Sequence, residues 1–112
     1  MKKLQKTSRS KYNNKTSVYN GYPYDSAKEA NYAKDLDLLI LAKEIKGYSR
    51  QKKISLDVNG QHIANYYMDF EVEENDGSIS WREVKGFETD VWKLKWKLAK
   101  ALYPDVKFIL IK

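Results

Sequence analysis

The sequence predicts an α/β domain with the element order αβββαβ around a mixed central sheet, preceded by a basic arm and a β-hairpin. Three observations predict it. The pairs Asn20-Gly21 and Asn59-Gly60 and the triplet Asn75-Asp76-Gly77 separate short runs rich in aromatic, β-branched and alternating residues, the pattern of strands joined by tight turns. Two other stretches, beginning near Ser26 and Thr89, switch to a period near 3.6, as helices do. A chain of 112 residues, 42% of them apolar, suffices for one hydrophobic core and not for two.

Residues 1–16 form the arm. Lys2, Lys3, Lys6, Arg9, Lys11 and Lys15 lie within it without a single acid, so it carries the whole net charge of +6. A basic arm on a neutral body suits contact with a polyanion, and a solubilising, unstructured end is the other reading. One domain, residues 17–112, follows. Ser17-Val18-Tyr19 and Tyr22-Pro23-Tyr24 flank Asn20-Gly21 as a hairpin, with Pro23 confining its strand to an edge. Asp25 or Ser26 caps the first helix, and Glu29 takes the capping-box position if Ser26 is the cap. That helix is expected to reach about Lys46, with Gly47 as a left-handed stop. Ala30, Ala33, Leu36, Ile40 and Lys43 mark its core stripe, with Leu39 beside it.

Residues 50–58, 63–73 and 78–85 read as three strands joined by tight turns, hence antiparallel. The second helix is expected from residue 88 or 89 to 103, with Val91, Leu94, Leu98 and Leu102 on its inner face and Pro104 as its stop. Residues 106–111 read as a largely buried final strand. A helix between the third and fourth strands is long enough for the crossover that makes them parallel.

Composition narrows the function. No stretch approaches the roughly 18 apolar residues of a membrane span, and the Met1-Lys2-Lys3-Leu4 start is followed by polar residues instead of a signal-peptide core. With no cysteine, disulfides and thiolate metal sites are excluded, which fits a cytoplasmic protein. His62 is the only histidine, so a metal site would rest on carboxylates and favour Mg²⁺ or Mn²⁺ over structural Zn²⁺.

The chemistry concentrates in Tyr67-Met68-Asp69-Phe70 and Trp81-Arg82-Glu83-Val84-Lys85-Gly86. Side chains alternate along a strand, so Glu83 and Lys85 share a face. A hairpin through Asn75-Asp76-Gly77 brings Asp69 beside Glu83. Two hard oxygen ligands with an ammonium next to them are the equipment for metal-assisted phosphodiester hydrolysis. An edge-strand aspartate and a surface Glu–Lys pair would look the same in sequence.

This order of elements and acids resembles the PD-(D/E)XK nuclease superfamily, in which an acid on the second core strand is followed by E-x-K on the third. More closely, residues 11–111 resemble a family of small phage and prophage nuclease-like proteins. The matching residues are Lys11-Tyr12, Tyr24-Asp25-Ser26, Glu29, Asp69-Phe70 and Glu83-Val84-Lys85-Gly86. The core and length also resemble archaeal-type Holliday junction resolvases. Met68 stands where the superfamily's name calls for proline, and many nucleases of the class lack that proline.

The resemblance implies a restriction-endonuclease-like fold and a Mg²⁺-dependent DNA endonuclease, with Mn²⁺ able to substitute and no small-molecule cofactor. Asp69 and Glu83, with the Val84 carbonyl, would bind the metal, Glu29 would join directly or through water, and Lys85 would hold the attacking water. The products implied are a 5′-phosphate and a 3′-hydroxyl. Branched or junction DNA is the expected substrate, because a domain this small has no room for a separate sequence-reading module, and the resolvases it resembles are homodimers. A non-catalytic nucleic-acid-binding protein with the same fold and a nuclease for ordinary duplex are the rival readings.

Outside the acids, Lys93, Lys95, Lys97 and Lys100 crowd the second helix, and Lys46, Arg50, Lys52 and Lys53 form a second basic cluster. Lys11, Lys15, Lys52, Lys93 and Lys97 are the candidate phosphate contacts, against the plain reading of lysines on solvated faces. Trp92 and Trp96, one turn apart, are expected to pack. Gln51 matches a glutamine of the related phage proteins and is a candidate cleft residue, while His62 reads as an exposed residue at a strand entrance.

Overall fold

The computed structural model describes residues 16–112, so residues 1–15 of the arm, with Lys11 and Lys15, lie outside the described residues. Strands β1 (Ser17–Tyr19) and β2 (Tyr22–Tyr24) pair antiparallel as a separate two-stranded sheet. The Asn20-Gly21 turn between them has positive φ at both residues, 53° and 81°, the mirror-image turn that matches strand twist. Helix α1 (Ala27–Leu41) follows, capped by Ser26, whose side chain accepts from the Glu29 amide.

Four strands form the main sheet in the order β3-β4-β5-β6: β3 (Ile45–Val58), β4 (Gln61–Glu74), β5 (Ile79–Val84) and β6 (Lys107–Ile111). The first three are antiparallel, while β5 and β6 run parallel across helix α2 (Asp90–Leu102), which is capped by Thr89. The mixed sheet and its crossover agree with the sequence reading. No helix among the described residues is long and apolar enough to cross a membrane.

Two expectations need correction. Helix α1 stops at Leu41, five residues short of Lys46, and it is Lys43, not Gly47, that takes the left-handed conformation (φ 62°). Asn75 Nδ2 donates to the Lys43 carbonyl at 2.9 Å, and Ile45, 5% exposed, already pairs with Glu74. Pairing with β4 outweighs the helical propensity of residues 42–46, so β3 begins at Ile45 and Gly47 lies inside it. In α2 the inner face is carried by Trp92 and Ala99, with Trp96, Leu98 and Leu102 packed against the core, while Val91 and Leu94 are exposed. The indoles fill the space facing the sheet, turning the helix so that the first two aliphatic positions face outward.

The packing divides into two cores, where the chain's length suggested one, because the sheet buries apolar residues on both of its faces. One joins Ala30, Ala33 and Leu36 of α1 to Phe70 and Val72 of β4 and to Val84. The other joins Trp92 and Ala99 of α2 to Ile54, Leu56, Tyr66, Met68 and Trp81. On β5, Arg82 reaches Tyr32 of α1 while its neighbour Trp81 packs in the α2 core. Adjacent strand residues point to opposite faces, so the helices cover opposite sides of the sheet.

Tyr66, Met68, Phe70 and Val72 alternate as one uninterrupted set, yet the first two serve the α2 core and the last two the α1 core. The exchange falls between the pairs Lys52↔Met68 and Arg50↔Phe70, that is, at Gln51 and Asp69. Gln51 has φ 54°, a left-handed residue within a strand. Such a backbone is uncommon for glutamine and costs on the order of 1 kcal/mol. The ribbon changes cores at the position of its candidate catalytic aspartate.

Candidate active site

Asp69 sits where β4 passes from one core to the other, and β5 ends beside it. The register Phe70↔Arg82 brings the next residues, Asp69 and Glu83, side by side. The Asp69 amide approaches Glu83 Oε1 at 3.4 Å, and Asp69 Oδ2 accepts from the Val84 amide at 2.9 Å. Glu29 enters from the first turn of α1 and is hydrogen-bonded to the Asp69 side chain. Lys85 Nζ stands 3.9 Å from Glu83 Oε2 and 5.2 Å over the Trp92 ring. Gln51 Nε2 reaches Asp69 Oδ1 at a long 3.5 Å. The three acids, Lys85, Val84 and Gln51 named from sequence therefore come together.

Burial governs the electrostatics. Glu29 and Glu83 are 7% and 5% exposed, and taking a carboxylate from water costs several kcal/mol unless a counter-charge offsets it (on the order of that per ion). Desolvation, then the charge of Asp69, pushes Glu29 up to about 9. The same two causes push Glu83 up to about 8, opposed by Lys85. Burial raises Asp69 too, against the Val84 amide, Glu29 and Lys85. At neutral pH Glu29 keeps its proton and donates it to the Asp69 carboxylate. The capping box is thus only half made: Ser26 caps the helix, while the Glu29 carboxyl faces the acids.

The donor set suits a hard divalent cation. All three side chains offer carboxylate oxygen, the ligand that hard divalent cations prefer. Three buried acids stand against one lysine, and the protons they hold are what a bound cation would displace. Among the described residues, no three His, Cys, Asp or Glu side chains already stand as a ready metal-binding group; the acids are instead hydrogen-bonded to one another, and a cation would replace the Glu29 proton.

Two residues of the site escape the sequence reading. Tyr66, 4% exposed, accepts from Trp92 Nε1 at 2.7 Å and lies next to Glu83. Trp92 packs, stacked on Trp96, as expected of both tryptophans, and also holds these polar contacts. The spacing Tyr66-x-x-Asp69 was the available signal, but Tyr67 beside it, 53% exposed, looks the same in sequence.

The remaining candidates lie outside this cluster. Lys52 is exposed and pairs with Glu71 at 3.8 Å, and Lys93 and Lys97 are exposed one turn apart on α2. His62 is exposed at the start of β4 with its Nδ1 2.8 Å from Asp57 Oδ1. Ser55 Oγ contacts the same nitrogen at 2.9 Å. Both partners share one ring nitrogen, so the trio lacks the relay of a nucleophilic triad.

Fold and site together define an α+β domain with a mixed four-stranded sheet and a buried acidic cluster where two strands meet one helix end. A family model matches residues 9–112. The chain belongs to that family, described as Protein of unknown function (DUF1064). A search of curated proteins returned no match.

Proposed function

We propose that this protein is a divalent-metal-dependent DNA endonuclease of the PD-(D/E)XK type, acting on branched DNA as a homodimer. The observation that carries the reading is the convergence of Glu29, Asp69 and Glu83 with a single ammonium, Lys85, at the end of β5. The αβββαβ order and the parallel β5–β6 crossover support a restriction-endonuclease-like core.

Asp69, Glu83 and Glu29 would hold Mg²⁺ or Mn²⁺. When bound, such an ion supplies a Lewis acid and a more acidic water. The chain's own groups do the rest. The Val84 amide and Gln51 carboxamide orient Asp69, leaving its position set by two strands at once. Lys85 offsets charge that develops on phosphoryl oxygens, and its contact with Glu83 keeps it at the site. The exposed Lys93 and Lys97 would contact phosphates without reading sequence.

Incubating the protein with a labelled four-way junction and a matched linear duplex, with Mg²⁺, Mn²⁺ or EDTA, tests this. Paired, metal-dependent cuts in the junction, absent with Asp69→Asn, are the expected result. Cuts of equal efficiency in linear duplex would move the substrate to ordinary DNA. Tight junction binding without cleavage under either metal would leave a non-catalytic DNA-binding protein.

A further inference from the structure

Trp92 touches the site through two different parts of its ring. Lys85 Nζ lies 5.2 Å from the ring centroid, over the face. At the ring edge, Nε1 donates to the Tyr66 hydroxyl at 2.7 Å, and that hydroxyl lies next to Glu83. We propose that Trp92 is a positioning residue for both charged groups, fixing Lys85 by its face and Glu83 through Tyr66 by its N–H. What those groups then do rests on the endonuclease reading, but the arrangement can be tested apart from it.

Three features distinguish this from plain packing. A buried indole N–H needs an acceptor, and the one it has is the residue that contacts the carboxylate. Because the Tyr66 oxygen accepts from Trp92, its own proton is directed to Glu83, and successive hydrogen bonds polarise one another. Lysine carries a long flexible stem, and an aromatic face beneath the ammonium narrows its positions. The indole is itself held: its backbone amide donates to the Thr89 cap at 3.0 Å, and its ring stacks on Trp96 at 5.3 Å. Phenylalanine would fill much of the space, but it offers no donor to Tyr66.

The full-length chain carrying Trp92→Phe, Tyr66→Phe, both together, or Trp92→Leu distinguishes the roles. NMR at constant pH reads each group without metal or DNA. The Lys85 side-chain methylene protons should be shifted upfield by the indole, remain so in Trp92→Phe, and return to ordinary values in Trp92→Leu. The Glu83 carboxyl carbon should move in Tyr66→Phe and in the same direction in Trp92→Phe, with the double variant no further displaced than Tyr66→Phe. In cleavage assays kcat should fall about tenfold for Tyr66→Phe and Trp92→Leu, with KM for DNA within about twofold.

A Lys85 resonance indifferent to Trp92→Leu, or a Glu83 carbon indifferent to Trp92→Phe, would overturn the proposal. So would unchanged kcat in an active protein. A wild-type chain that shows both NMR signatures but cuts no DNA would overturn the endonuclease reading and leave the positioning role standing.

Discussion

Strands β4 and β5 carry two acidic clusters a few residues apart, and they differ in how their charge is met. On the α1 side, Glu74 Oε2 accepts from Ser80 at 2.7 Å and from Arg82 Nη2 at 3.0 Å. Arg82 completes its contacts with Ser80 Oγ and Tyr32. The Ser80 and Arg82 hydrogen bonds hold Glu74 below the usual carboxylate range in spite of partial burial. Where β5 ends, Glu29, Asp69 and Glu83 gather around Lys85 and all are raised. One cluster closes on itself with its own partners; the other gathers three buried acids around one lysine and meets the excess by holding protons. Structural ion pairs resemble the first. The second is the kind of perturbed cluster that functional sites hold, and it is the one on which the proposed metal-dependent activity rests.

Changing one residue in each cluster should separate them most strongly. Asp69→Asn removes the central acid and should lower metal-dependent cleavage by about a thousandfold, ~4 kcal/mol of transition-state stabilisation. The same change relieves repulsion with Glu29 and Glu83, so thermal melts without metal should show equal or greater stability. Arg82→Ala should do the opposite. It removes the guanidinium from Glu74, Ser80 and Tyr32, leaving only the Ser80–Glu74 hydrogen bond, and should cost about 2 kcal/mol in urea unfolding, less than a fully buried pair because Glu74 is partly solvated. Cleavage by the fraction still folded should remain within about twofold of wild type.

Acidity offers a finer contrast, because the two clusters bend the stability curve in opposite directions. Glu29 and Glu83 have folded-state pKa values of about 9 and 8 against 4.5 for the free group. Their contribution to stability is therefore complete below pH 4.5 and is lost as pH rises through 8 and 9. Glu74 is lowered from 4.5, so its contribution is present above pH 4.5 and is lost as pH falls through its depressed value. Melting temperatures without metal should thus decline on the alkaline side, and Glu29→Gln should flatten that limb alone. Glu74→Gln should flatten the acid limb alone. Mg²⁺ should restore the alkaline limb by about 1–3 kcal/mol at concentrations well above its dissociation constant, and EDTA should reverse it.

The smallest effect concerns the ribbon itself. Gln51→Gly should relieve the left-handed strain, raising the urea midpoint by about 0.5–1 kcal/mol equivalent, while removing the carboxamide from Asp69. A gain in stability with a loss of activity would mark strain retained at the site. Loss of both would mean that the glutamine side chain stabilises the exchange between cores.

Much of this was legible in the sequence, for reasons that can be traced. Asn20-Gly21 and Asn59-Gly60 demanded the turns that formed, since positive φ at both positions suits few other pairs. The Asn75-Asp76-Gly77 turn fixed which residues of β4 and β5 are neighbours, and so brought Asp69 to Glu83. The helix ends and faces were less legible. Lys43 takes a left-handed backbone because Asn75, 32 positions away, binds its carbonyl, and nothing local reports that. Val91 and Leu94 fit the helical period as well as the tryptophans do, and only the size of the facing cavity chose between them. The exchange of cores at Gln51 was hidden most completely. Tyr66, Met68, Phe70 and Val72 keep perfect alternation, so periodicity cannot show that the strand has changed sides.

Mn²⁺ titration followed by NMR tests the contrast between the clusters most directly, because the ion's unpaired electrons broaden resonances near where it binds. The account predicts early loss of signals from Glu29, Asp69, Glu83, Val84 and Lys85, with Glu74, Ser80 and Arg82 unaffected until later. Broadening that begins at Glu74, or at surface acids such as Asp76, while the Asp69 cluster stays sharp would contradict it.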